Sequence, residues 1–226
     1  MHRVKLPEKL LAEARARRGD ASHRIDPKRT ALLVVDMQNA FVAPGAPLEV
    51  EAARGIVANI NRLADTLRHA GGKIVWVMST LPQKGDARDW AYLSAFLTDK
   101  NRESVRASLR PGGPHHALWP ELDRREGDLA CYKDRFSPFS PGASDLDTLL
   151  RHADIEEVIV TGTLTNVCCE CTARDAMMLN YRVIVVEDAN AADSDEDHLR
   201  GLTTVARLFA EIASTDELVE RLHAPE

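Results

Sequence analysis

Aromatic residues make up only 5% of this 226-residue sequence, and Lys and Arg are outnumbered by Asp and Glu, for a formal net charge of −6. The acidic balance leaves no basic face of the kind that binds nucleic acid. No apolar stretch reaches the roughly 20 residues needed to cross a bilayer, so no membrane span is expected. Met1-His2-Arg3 leads into a charged stretch rather than the apolar core of a secretion signal. Cysteine is also scarce: there are four, three of them crowded at Cys168, Cys169 and Cys171, which is no basis for a disulfide framework. A reducing compartment, the cytoplasm, is therefore expected. Internal repeats and low-complexity tracts are missing as well.

What the chain does hold is 44% hydrophobic residues, enough for one substantial core, and nothing calls for a second domain. Residues 1–27 read as an N-terminal arm. The first thirty residues carry nine Lys/Arg against four Asp/Glu, and Leu10, Leu11 and Ala14 form one apolar helical stripe that can pack on the domain or on a neighbouring subunit. From residue 28 to 226, short apolar runs alternate with longer amphipathic ones. Strands are expected near 31–36, 73–78, 128–132, 157–162 and 182–187, with a sixth near 208–213. Helices are expected near 52–70, 167–180, 195–206 and 215–222. This alternation implies an α/β fold with a mostly parallel, Rossmann-like sheet of about six strands in three α-β-α layers. Residues 79–125 break the rhythm. They hold Trp90, Tyr92, Phe96, Trp119 and Pro111-Gly112-Gly113-Pro114-His115-His116, and read as a long irregular insertion, either a lid or a subunit contact.

The most informative segment is Thr163-Leu164-Thr165-Asn166-Val167-Cys168-Cys169-Glu170-Cys171. It follows the β-branched run Val158-Ile159-Val160-Thr161-Gly162, which reads as a buried strand. Thr165 or Asn166 can cap the helix that follows, placing Cys168 in its first turn, where unpaired N–H groups and the positive dipole end favour the thiolate. Free cysteines more often simply pack, and that is the reading taken for Cys169 and Cys171. Cys-Cys-x-Cys also resembles half of a metal site, but Cys131 falls on another strand and His198 stands alone. His115 and His116 sit in a Pro/Gly-rich stretch that exposes them rather than making them ligands. No metal is expected.

Two further strand ends carry polar groups. Ala31–Val35 is a continuous apolar run closed by Asp36, and the carboxyl ends of strands are where open α/β sheets bind ligands, although an Asp there can also cap a turn. Leu129-Ala130-Cys131-Tyr132-Lys133 ends in a lysine, ordinarily a solvated charge, which can converge with Asp36 and Cys168 if its strand lies in the same sheet.

With Val35-Asp36-Met37-Gln38 and Phe41, Lys133, and Thr161-Gly162 leading to Thr165, Cys168, Thr172-Ala173 and Asp175-Ala176, the chain resembles the isochorismatase-like cysteine hydrolases over about residues 28–222. Cys169 and Cys171 depart from the valine and small residues usual there. The resemblance implies the isochorismatase-like hydrolase fold and a catalytic triad of Asp36, Lys133 and Cys168. It implies an oxyanion hole from the backbone N–H groups of Leu164 and Cys168, with a cis peptide between Thr163 and Leu164. It further implies hydrolysis of a small amide through a thioester, with no cofactor, by a homo-oligomer, dimer or tetramer. Phe41 matches an aromatic wall against the substrate. Trp90 and Tyr92 are further candidates for the pocket, and Trp76 is equally a core residue. The stretch 42–52 holds none of the histidines with which nicotinamidases bind a metal, so the resemblance points to the branch acting on ureido or linear amides. The alternatives are a nicotinamidase, a vinyl-ether hydrolase of the isochorismatase type, against which Cys168 argues, and a non-catalytic interaction module on the same fold.

Overall fold

The computed structural model describes residues 2–18, 24–97 and 99–223; Met1 and residues 19–23 of the expected arm, and the last three residues of the expected domain, lie outside them. A six-stranded sheet, parallel throughout, has the order β3-β2-β1-β4-β5-β6. Its strands are β1 (Thr30–Val35), β2 (Lys73–Ser79), β3 (Leu129–Lys133), β4 (Glu157–Thr163), β5 (Arg182–Ala191) and β6 (Glu211–Ala213). All residues of β1 and β4 are buried, as their apolar runs require of strands covered on both faces.

Side chains alternate between two cores. Leu32, Val34, Ile74 and Trp76 point to one face, where α3 (Val57–His69) supplies Ile60, Leu63 and Leu67 and α9 (Thr215–His223) supplies Leu218 and Leu222. Leu33, Val35, Val75 and Val77 point to the other, against α6 (Leu146–His152), α7 (Glu170–Met178) and α8 (Asp195–Leu208). The arm forms α1 (Glu8–Arg18), which packs on α8 and buries Leu6, Leu10 and Ala14, with Leu11 only partly covered. Among the described residues no helix is long and apolar enough to cross a membrane.

Several expectations need correction. The sixth strand begins at Glu211, because Leu208 still closes α8. The expected helix 52–70 starts at Val57, after a 3-10 turn over Glu51–Ile56. α6 was not expected, although Leu146, Leu149, Leu150 and Ala153 keep helical spacing, because it is only seven residues long. The stretch 79–125 is not irregular throughout: it contains α4 (Ala91–Phe96) and α5 (Asp99–Leu109), and its residues 115–119 return to bond with 37–40, just past β1. The intervening α2 (Asn39–Val42) is a single turn.

Candidate active site

The sheet order places β1 in the middle, between β2 and β4, so the strand order reverses about it; such a switch point is where open α/β sheets form a crevice at their carboxyl ends. Register decides which residues meet there. Val35 pairs with Val77 on one side and Gly162 on the other, while Ser79 pairs with Lys133. Asp36, Ser79, Lys133 and Thr163 therefore end their strands side by side. The close approach of β1 and β4 depends on Gly162, whose φ is +110°; a Cβ there would lie 2.0 Å from the Val35 carbonyl oxygen.

Lys133 is 1% exposed and Asp36 0%, and the ammonium lies 2.8 Å from the carboxylate Oδ2. Lys133 Nζ also donates to Ser79 Oγ at 2.9 Å and the Arg135 carbonyl at 3.2 Å, and stands 3.6 Å from Cys168 Sγ. The other carboxylate oxygen of Asp36 accepts the Ser79 backbone N–H at 2.9 Å, and the Asp36 carbonyl accepts the Thr163 hydroxyl at 3.1 Å. Asp36 itself has φ +52°, a left-handed conformation that aspartate tolerates better than most residues. Gln38, a motif residue to which the sequence alone gave no role, braces the loop by bonding Ser79 in both directions and the His116 carbonyl.

Cys168 is 4% exposed and lies in a π-helical turn, Thr165–Cys169, directly before α7. The expected capping by Thr165 or Asn166 does not occur: the Thr165 hydroxyl pairs with His198 Nδ1 at 2.7 Å, and the buried Asn166 Oδ1 has no hydrogen-bond partner among the described residues. The expected low thiol pKa is also corrected. Burial pushes the Cys168 thiol up, the nearby Lys133 charge pulls it down, and the Asp36 carboxylate, which accepts the thiol hydrogen, raises it again, with a net upward result. Burial opposes the Lys133 charge, but Asp36 and Cys168 outweigh it and hold the ammonium more firmly protonated than usual. The thiol thus lies against a buried carboxylate–ammonium pair. The Thr163–Leu164 peptide is cis.

The remaining candidates divide. Phe41 on α2 is 5% exposed and belongs to the core. Trp90 is half-buried, edge-on to Phe136 at 4.7 Å and under the Arg135 guanidinium at 5.2 Å. It lines a cavity of about 460 Å³ with Phe136, Cys171 and Arg174. Tyr92 is 80% exposed, and among the described residues no hydrogen bond or ring contact joins it to the triad. Trp76 is core, its indole N–H donating to Asp128 at 2.9 Å. Cys131 and Cys169 are buried and their thiols raised by burial, to about 11 for Cys131; Cys171 is half-buried and raised for the same reason. His115 and His116 bond to Ser108 and Thr80 instead of lying exposed.

A profile of the isochorismatase domain matches residues 30–217. The chain belongs to the isochorismatase family. Within it, a ureidoacrylate amidohydrolase from Klebsiella pneumoniae is 35% identical over 175 residues, covering 72% of this chain and 73% of the relative. A cysteine hydrolase from Pseudomonas syringae pv. phaseolicola superposes with a TM-score of 0.78 at 34% identity, covering 88% of this chain and 94% of that one. An N-carbamoylsarcosine amidase from Thermoplasma acidophilum gives a TM-score of 0.66 at 29% identity, over 83% of this chain and 97% of its own.

Proposed function

We propose that this chain is a cysteine-dependent amidohydrolase that cleaves the C–N bond of a small linear amide or ureido acid through a thioester on Cys168. The observation that carries this reading is the enclosed contact set that gathers past the carboxyl ends of β1, β3 and β4: carboxylate to ammonium at 2.8 Å, ammonium to thiol at 3.6 Å. Similarity to a ureidoacrylate amidohydrolase and an N-carbamoylsarcosine amidase supports a substrate with a terminal carbamoyl group.

The steps follow from the protonation states. Asp36 takes the Cys168 proton as sulfur attacks the carbonyl carbon, and Lys133, staying protonated, stabilises the thiolate by charge. The oxyanion is received by the backbone N–H groups of Leu164 and Cys168. Asp36 returns its proton to the departing nitrogen, the C–N bond breaks, and ammonia leaves a thioester. Asp36 then deprotonates a water that attacks the thioester; the C–S bond breaks, sulfur recovers a proton, and the acid, or a carbamate from a ureido substrate, is released. Trp90, beside Phe136 and Cys171, is assigned to the wall of the substrate's path. The enzyme works in a reducing compartment, the cytoplasm, as a homo-oligomer. Exposed Met178 and Leu208 at the ends of α7 and α8, 67% and 68% exposed, support a surface that pairs with another copy.

A panel of ureido acids and linear carboxamides, assayed for ammonia release, tests the function. Turnover of at least one ureido or linear amide, lost in Cys168→Ala, is expected. Turnover of nicotinamide alone, or activity that survives Cys168→Ala, would contradict the proposal.

A further inference from the structure

Thr165 opens the turn that carries Cys168, and its hydroxyl reaches across to α8, to His198 Nδ1 at 2.7 Å. Both residues are 2% exposed. The Glu187 backbone beside the ring favours its protonated form. The Thr165 hydroxyl and Nδ1 share one hydrogen bond, and the ring's tautomer sets which of the two donates. Burial, and then the nearby His2, push the His198 pKa down to about 4, so the ring is neutral near pH 7. The arm closes over it. His2 stacks on His198 at 4.3 Å between centroids, takes the Ala192 N–H on Nε2 at 2.9 Å, and pairs with Asp195 at 2.7 Å.

A second contact presses α8 on the same turn. At Gly201, one turn beyond His198, a Cβ would stand 2.9 Å from the Asn166 Cα and 3.1 Å from the Thr165 carbonyl carbon. The turn's start has no side-chain cap of its own, and its far end is held by the Thr172 hydroxyl donating to the Cys168 carbonyl at 2.6 Å. The Thr165–His198 bond is the side-chain hydrogen bond that joins the turn's start to α8.

We infer that His198 is a positioning residue for the nucleophile: through its hydrogen bond to the Thr165 hydroxyl it sets where the turn, and with it the Cys168 sulfur, stands relative to Lys133 and Asp36. The inference rests on the role given to Cys168 above. A misplacement of about 1 Å in such a site can lower a rate by up to about 100-fold, so an indirect contact has a kinetic signature.

Thr165→Val, His198→Ala, their combination and His198→Asn, whose side-chain amide can stand in for Nδ1, test the inference. The readouts are kcat and KM for the amide hydrolysed, and the rate at which iodoacetamide alkylates Cys168, resolved from Cys171 by peptide mapping. Thr165→Val and His198→Ala should each lower kcat about tenfold with KM within about twofold. Each should also slow alkylation of Cys168, whose sulfur moves off the Lys133 charge, and leave that of Cys171 unchanged. The double variant should be no worse than the poorer single, because one bond has been lost in all three. His198→Asn should recover most of both rates. Thr165→Val is nearly isosteric and carries the test alone if His198→Ala does not fold. Wild-type kcat and alkylation in Thr165→Val, additive losses in the double variant, or a lowered Tm with unchanged kinetics would overturn the inference. If the wild-type protein turned over no amide on the panel, the amidohydrolase reading would fall, while the alkylation rates would still decide the role of His198.

Discussion

Lys133 and Asp36 are both fully buried, so each charge is tolerable only beside the other. Removing one partner strands the other, and Lys133→Ala should lower unfolding stability by about 3 kcal/mol or more in urea titration. The same change should move alkylation of Cys168 to higher pH. Lys133 lowers the thiol pKa, so removing its charge favours the neutral thiol, and an unmoved profile would show that the ammonium does not act on sulfur. Asp36→Asn should reduce turnover by orders of magnitude, since both thiol deprotonation and ammonia departure lose their proton carrier. Combined with Lys133→Ala it should cost less than the sum of the two, because both act in one chemical step; simple additivity would break the triad apart. Cys169→Ala and Cys171→Ala should keep a substantial part of wild-type activity.

At the scale of elements, the site exists because β1, β2, β3 and β4 end in register. Gly162→Ala tests that dependence. With φ +110° and the Val35 carbonyl 2.0 Å from the new methyl, the variant must part β1 from β4, and should lose at least about 2 kcal/mol of stability along with most activity. Full activity and an unchanged unfolding midpoint would show that the close approach is not required. The central strands were legible because Ala31–Val35 and Val158–Thr161 are β-branched or apolar throughout, a pattern that only a strand buried on both faces sustains. Asp36, Lys133 and Cys168 were legible because each stands where such a run ends. The thiol environment was not. A dipole argument favours the thiolate, but burial of the whole triad outweighs it, and burial is a property of the assembled fold. Nor could Thr165 be seen to turn from its own helix to His198, whose partner lies 33 residues away, or His198 be known not to stand alone. α4 and α5 were missed because residues 79–125 are bounded by Pro and Gly signals that read as loop.

The whole molecule joins an arm, a sheet and an insertion around one buried site, and its assembly is open to direct measurement. Light scattering should give a mass that is a multiple of the 25.0 kDa chain; the chain mass alone at working concentration would refute the homo-oligomer. Because the stretch 42–52 carries no histidine, dialysis against a strong chelator should leave the rate unchanged, and loss of activity restored by zinc, iron or manganese would return the nicotinamidase reading.

The central claim is a covalent bond between substrate and one named sulfur. Rapid quenching during turnover, followed by intact-mass and peptide mass spectrometry, measures it most directly. An acyl or carbamoyl adduct on Cys168, absent from Cys168→Ala, is expected. An adduct on Cys169 or Cys171 instead would contradict it, as would turnover that proceeds with no adduct under conditions that trap thioesters.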